Sequence, residues 1–168
     1  MWYTIYVRAN HEEEIVEQCR KRVIEGDEKI FTMKGERMFR VGPGKYELRT
    51  KPLFQNYLFA DITDPESFWI RLRRVKTLTK MLKTGEDLHP IYPEEEEFLK
   101  ALGGEEHIVK YSIGYKEGDR LIVEDGPMRG LEGKVKKIDR HHRMAILSVN
   151  LMGQEIDVKL GLEILARS

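Results

Sequence analysis

The stretch GDRLIVEDGPMRGLEGKV, Gly118 to Val135, decides the fold of the C-terminal third of the chain. It opens on Gly118-Asp119, sets Leu121 and Val123 on one face of a strand, and then breaks into glycines at Gly126, Gly130 and Gly133. Residues two apart share a strand face, and glycines so spaced let a tight turn lie against the following strand where a side chain would clash. From here to the C-terminus short apolar runs alternate with glycine turns and no helical period appears, which predicts a small β-barrel over residues 118–168. The same stretch does not make a phosphate loop. Aligned on Gly133-Lys134, the first glycine position holds Met128, and Val135 stands where a metal-binding Ser or Thr belongs.

Upstream the periodicity is mixed. Trp2 to Arg8 is aromatic and β-branched and predicts a strand. A helix follows, with Asn10 as N-cap, Glu13 in the capping-box position, and Ile15, Cys19 and Val23 on one buried stripe. Lys29 to Ile62 predicts strands, Ile30–Phe39 and Tyr46–Ile62 flanking a turn at Gly42-Pro43-Gly44. Asp64 and Pro65 start a second helix that buries Phe68, Trp69, Leu72 and Val75. Leu78 to Leu82 predicts a short strand. Pro93 and Glu94 to Glu97 start a third helix, with Phe98, Leu99 and Leu102 buried. The fold class is therefore α+β: an N-terminal antiparallel sheet with flanking helices over 1–102, a linker over 103–117, and the barrel.

Composition removes several functions. The chain has 168 residues, 40% of them hydrophobic, enough for a packed core, and 29 basic residues balance 29 acidic ones. A nucleic-acid surface must therefore be local. The single cysteine, Cys19, excludes an internal disulfide and multi-cysteine metal or redox motifs. There is neither a membrane-spanning apolar run nor a signal-peptide pattern at the start, so the expected compartment is the cytoplasm. The five histidines form no metal-binding spacing. The glutamates at 94–97 suit a helix N-terminus and point around it. No nucleophile elbow or dinucleotide fingerprint occurs. The expectation is a protein that is not an enzyme, with no cofactor and no metal.

The series Gly118-Asp119 to Lys134-Val135 resembles the KOW motif, and that resemblance runs to the C-terminus. It implies an SH3-like barrel that contacts RNA or protein. Trp2-Tyr3 opening a strand, the helix directly after, and Pro52-Leu53-Phe54-Gln55-Asn56-Tyr57-Leu58-Phe59 resemble the N-terminal (NGN) domain of NusG-type transcription factors. Together the two cover nearly the whole chain in the right order. The resemblance implies binding to RNA polymerase during elongation: an apolar cavity grips the clamp helices of the largest subunit. By motif position Tyr6, Phe54, Tyr57 and Phe59 line that cavity. The residues alone say less. Tyr57 and Phe59 share one strand face and Leu58 takes the other, so both faces are apolar, and covers come from the domain's own helices or from a partner.

Three departures bear on which kind of member this is. Gln55 stands where the family commonly has proline, Asn56 where housekeeping members have glycine, and Met128 where they have an aromatic that engages Rho and a small-subunit ribosomal protein. Asn56-Tyr57-Leu58-Phe59 resembles specialised paralogues of the RfaH kind. Gly126, Pro127, Gly130 and Gly133 weigh against storing the C-terminal domain as a helical hairpin, which RfaH-type proteins can do. In Lys134 to Arg143 five permanent cations face one acid. Val135 and Ile138 are expected inward, and Asp139 to Arg143 as an exposed hairpin turn. Such a tip can pair with phosphates and stack on unpaired bases, so Lys134, Lys136, Lys137, Arg140, His141, His142 and Arg143 are the candidate RNA-binding residues. The stretch resembles LoaP-type antitermination factors.

A second basic series, Arg71, Arg73, Arg74 and Lys76, continued by Lys80 and Lys83, is a candidate contact to non-template or upstream DNA. The function expected is transcription elongation and processive antitermination by a monomer that binds polymerase and nascent RNA, in particular a structured leader. Two alternatives stay open: a housekeeping NusG coupling polymerase to Rho or the ribosome, and a ribosome-associated KOW module.

Overall fold

The computed structural model describes residues 1–8, 10–82 and 88–166. Its elements in chain order are β1 (Trp2–Tyr6), α1 (Glu12–Arg22), β2 (Lys29–Phe31), β3 (Lys34–Gly42), β4 (Lys45–Pro52), β5 (Tyr57–Asp61), α2 (Pro65–Arg74), α3 (Lys76–Thr79), β6 (His89–Pro90) and α4 (Pro93–Gly103). There follow β7 (Ile108–Val109), β8 (Ser112–Glu117), β9 (Arg120–Asp125), a 3-10 turn at Glu132–Lys134, β10 (Val135–Asp139), β11 (Met144–Leu151) and β12 (Gln154–Ile164). The mixed α+β class expected from the sequence is the one observed. No helix among the described residues is long and apolar enough to cross a membrane.

The strands form three sheets: β2-β5-β1-β6, all antiparallel; β4-β3-β7; and a curled C-terminal sheet β10-β11-β12-β8-β9. The first has two apolar faces because β1 and β5 alternate apolar residues on both. Ile5, Leu58 and Ala60 face α1, α2 and α3 with Ile15, Cys19, Phe68, Leu72 and Leu78. Burial pushes the Cys19 thiol up to about 12, so it is an inert core residue. On the opposite face Trp2 and Phe59 join a second core that continues through Leu99 and Leu102 of α4 into the inward residues of the C-terminal sheet, Leu121, Leu147, Val158 and Leu160 among them.

Several expectations are corrected. Asn10 does not cap α1: it sits at φ 68, and the helix begins after His11 with no side-chain cap. Glu13 is drawn away to Lys34 Nζ at 2.8 Å instead of closing a capping box. Each long strand predicted in Lys29–Ile62 is split between two sheets, at Thr32-Met33 and at Leu53–Asn56. Leu78 to Leu82 is not a strand: α3 ends there, at Thr79, and only Leu82 pairs, with Val7. The stretch 103–117 read as a linker carries β7, parallel to β3, and β8, an integral strand of the C-terminal sheet and parallel to β12. Asp64 caps α2 as expected, accepting from Ser67 N at 3.1 Å. Gly126 is required, though against β8 rather than the following strand. At φ 108, its missing Cβ would lie 2.4 Å from Ser112 Oγ.

Candidate functional site

The β1–β5 register pairs Tyr6 with Tyr57 and Thr4 with Phe59, which places Trp2, Thr4, Tyr6, Tyr57 and Phe59 on one sheet face. Phe54 reaches the same face from the turn before β5. The four residues expected to bind polymerase are thus brought together: Tyr6 and Tyr57 rings lie 5.0 Å apart, and Phe54 meets Phe59 edge-on at 5.7 Å. They are not equally accessible. Phe54 is 5% exposed and Phe59 is fully buried, whereas Tyr6 and Tyr57 are half-buried. Sequence reading missed that Trp2 and Phe31 complete the cluster, 5.9 Å from Phe59 each. It also missed His107, stacked on Phe31 at 3.5 Å. Burial, then the nearby Lys29 and Arg20 charges, hold the His107 imidazole below its ordinary pKa.

The buried half of this face is covered by the C-terminal sheet. Glu95, 5% exposed, accepts from Met152 N and Gly153 N of the β11–β12 turn and from Tyr92 N at its own helix start, each at 2.9 Å. Thr4 Oγ1 lies 3.2 Å from Met152 Sδ in the same turn. Nothing in the sequence separates Glu95 from its neighbours in the glutamate run. On the other side β12 runs against the β3–β4 hairpin. There Glu36 Oε1 accepts from Tyr111 N at 2.9 Å, and a Cβ on Gly161 would lie 2.4 Å from Glu36 O and Tyr111 Cδ1. Only glycine permits that approach. Asn56 stands at φ 71, a conformation glycine and asparagine tolerate, and its N–H donates to Glu12.

The basic tip forms as expected: β10 and β11 make a hairpin, and Arg140, His141 and His142 are exposed in its turn. Its cations differ in availability. Lys136 pairs with Asp157 at 3.0 Å; Arg143 pairs with Glu163 at 3.2 Å and stacks over Tyr46 at 3.9 Å. Lys134 sits at the far end of β10 over Phe98. His142 both donates its N–H to Asp139 and meets it through Nδ1 at 2.8 Å, and these bonds hold the Asp139 carboxyl below its ordinary pKa. Lys137 and Arg140 have no ion-pair partner among the described residues and are exposed. Met128 is fully buried in the sheet core, so its side chain is not presented to a partner.

The second basic series divides. Arg71 is withdrawn from the surface: Nη1 and Nη2 each bond Glu28 at 2.7 Å, and a further bond goes to Val23 O. Those contacts lower the Glu28 pKa and raise that of Arg71. Arg73, Arg74, Lys76 and Lys80 are exposed, Arg73 lying 6.0 Å from the Trp69 ring. Lys83 lies outside the described residues. Among those residues no cluster of three His, Cys, Asp or Glu side chains could hold a metal ion.

The model of the family described as "Transcription termination factor nusG" matches residues 1–100. A protein of Thermus thermophilus named "Transcription termination/antitermination protein NusG" is 26% identical over 178 aligned positions, covering 95% of this chain and 94% of that protein. A Rickettsia typhi protein of the same name is 22% identical, covering 95% and 86%. In fold, the chain is similar to the solved structure "Domain interaction in Thermotoga maritima NusG", with TM-score 0.51, 24% identity, and coverage of 95% of this chain and 92% of that one.

Proposed function

The chain belongs to the NusG family, and from that premise we propose that it is a transcription elongation factor whose N-terminal unit binds RNA polymerase through the Tyr6, Phe54, Tyr57 and Phe59 face. The observation that carries this reading is the convergence of those four aromatics on one sheet face within the family-matched residues. A half-buried aromatic pair over a deeper aromatic floor suits an apolar helical partner such as the clamp helices. In the arrangement described the floor lies under the C-terminal sheet, so full engagement requires the β11–β12 turn to leave Glu95. Docking of the C-terminal sheet and binding of polymerase then compete.

Within the family, the reading is a specialised paralogue of the RfaH or LoaP kind acting as a processive antiterminator, with no catalytic step of its own. Its C-terminal sheet touches nascent RNA through Lys137, Arg140, His141 and His142, with Lys136 and Arg143 joining if they exchange their carboxylate partners for phosphates. Lys134 sits apart from that tip. Arg73, Arg74 and Lys76 remain candidate DNA contacts; Arg71 supports the fold. The burial of Met128 speaks against a Rho or ribosomal contact through that side chain.

The test is pull-down of cognate polymerase by the full chain and by Tyr6→Ala/Tyr57→Ala. These half-buried residues are preferable to Phe59, whose truncation would cost about 3–5 kcal/mol of core packing. Loss of binding with an unchanged fold, checked by amide NMR, is expected. Retained binding refutes the assignment.

A further inference from the structure

A cavity of about 390 Å³ lies between the β3–β4 hairpin, the turn into β5, and β12. Arg37 and Lys51 enter it from one face of the hairpin, where Arg37 pairs with Arg49 and Lys51 with Gly35. Lys159 enters from β12, and Phe54 and Tyr57 form an apolar wall. The one acid in the lining, Asp157, is held by Lys136 at 3.0 and 3.3 Å. Three cations from two distant parts of the chain therefore converge, and neither Lys51 nor Lys159 has an ion-pair partner among the described residues. Arg37 Nε is buried with no acceptor, its Nη2 reaches Met144 Sδ at 3.3 Å, and its guanidinium lies 5.2 Å from the Phe39 ring, with Lys51 Nζ 5.1 Å from the same ring.

Holding like charges around a cavity and leaving a buried guanidinium N–H unpaired both cost free energy. An anion in the cavity would relieve the first. The volume is at the lower end of small-molecule sites, which typically span about 300–1,000 Å³, and exceeds what a bare phosphate fills. Arginine's planar donors suit a phosphate bidentately, and lysines supply point charges beside it. We propose that this cavity is a binding site for a small phosphorylated ligand of nucleoside-phosphate size, its phosphate held by Arg37, Lys51 and Lys159 and its organic body set against the Phe54–Tyr57 wall.

The walls come from both halves of the chain, so the ligand binds only the docked arrangement and stabilises it by mass action. By reciprocity it weakens whatever requires undocking. That regulatory consequence rests on the reading that Phe54 and Tyr57 face polymerase; the site itself does not.

The experiment is titration of the full chain, followed calorimetrically and by amide NMR shifts, with inorganic phosphate, with ADP, and with a short single-stranded RNA lacking terminal phosphates. Wild type is compared with Lys51→Ala/Lys159→Ala, both exposed positions that leave the core intact. The expected result is one ADP site, with shifts around residues 51, 57 and 159, weaker binding of phosphate, and affinity for ADP falling about tenfold or more in the double variant. No ADP binding at millimolar concentration, equal affinity in the double variant, or shifts at these residues from the RNA alone would overturn it. If ADP binds as expected yet leaves polymerase pull-down unchanged, the site stands and the polymerase assignment of the aromatic wall fails.

Discussion

Replacing Glu95 by Gln should loosen the docking of the C-terminal sheet while sparing each half. Glu95 Oε1 accepts from Tyr92 N and Met152 N, and Oε2 from Gly153 N, all at 2.9 Å. A glutamine can present its single oxygen to only one of these places. Either the amide nitrogen opposes Gly153 N–H, or it opposes two donors at once. At least one hydrogen bond to a charged acceptor becomes a donor–donor opposition, worth about 1.5–3 kcal/mol. The ratio of docked to undocked chain then falls about 10- to 150-fold, at about 1.4 kcal/mol per decade. Rotational correlation times from ¹⁵N relaxation, measured separately for residues 1–100 and 118–166, report this directly. In wild type the two sets should agree, and in the Gln variant they should separate. Glu94→Gln, an exposed neighbour in the same run, is the control and should behave as wild type. Identical correlation times in the Glu95 and Glu94 variants would refute the reasoning.

Gly161→Ala forces a Cβ to within 2.4 Å of Glu36 O, so it should cost about 1–3 kcal/mol by overpacking and lower the melting temperature, as calorimetry can check. Arg71→Met should destabilise by a similar amount, since it strands Glu28, whose side chain is 10% exposed, without weakening nucleic-acid binding. The same pair sets a pH dependence. Glu28 has its folded pKa below 4.5, so its contribution is present above that value and is lost as pH falls below it; wild type should lose stability more steeply there than the Met variant in acid melts. Lys137→Ala/Arg140→Ala should weaken RNA binding and reduce the log–log salt slope by about 0.7 for each phosphate that the variant no longer neutralises. An unchanged slope would remove the tip from the RNA surface.

The clearest signals in the sequence were local ones. Asp64-Pro65 with Phe68 and Leu72 fixed α2, and the alternation in Tyr57-Leu58-Phe59 indicated a sheet with two apolar faces. The grouping of Tyr6 with Tyr57 came from the family resemblance alone, since the residues by themselves do not show that β1 pairs with β5. What stayed hidden depended on distant partners. β8 looked like linker because its inward positions, Ser112 and Gly114, are small and carry no apolar alternation, and because its parallel partner is β12 near the C-terminus. Nothing in Ile30–Phe39 marks the point where the chain leaves one sheet for another. Arg71 read as one more surface cation among Arg73, Arg74 and Lys76, since its partner Glu28 lies before β2. Glu95 was masked by three identical neighbours; its bond from Tyr92 N at the helix start and the arrival of Met152 and Gly153 distinguish it.

The most direct measurement is readthrough of an intrinsic terminator by cognate polymerase, with the chain's own operon leader transcribed upstream or replaced by an unrelated sequence. The predicted result is readthrough that depends on the leader and is abolished in Tyr6→Ala/Tyr57→Ala. Termination that is unchanged by the protein on both templates would contradict it.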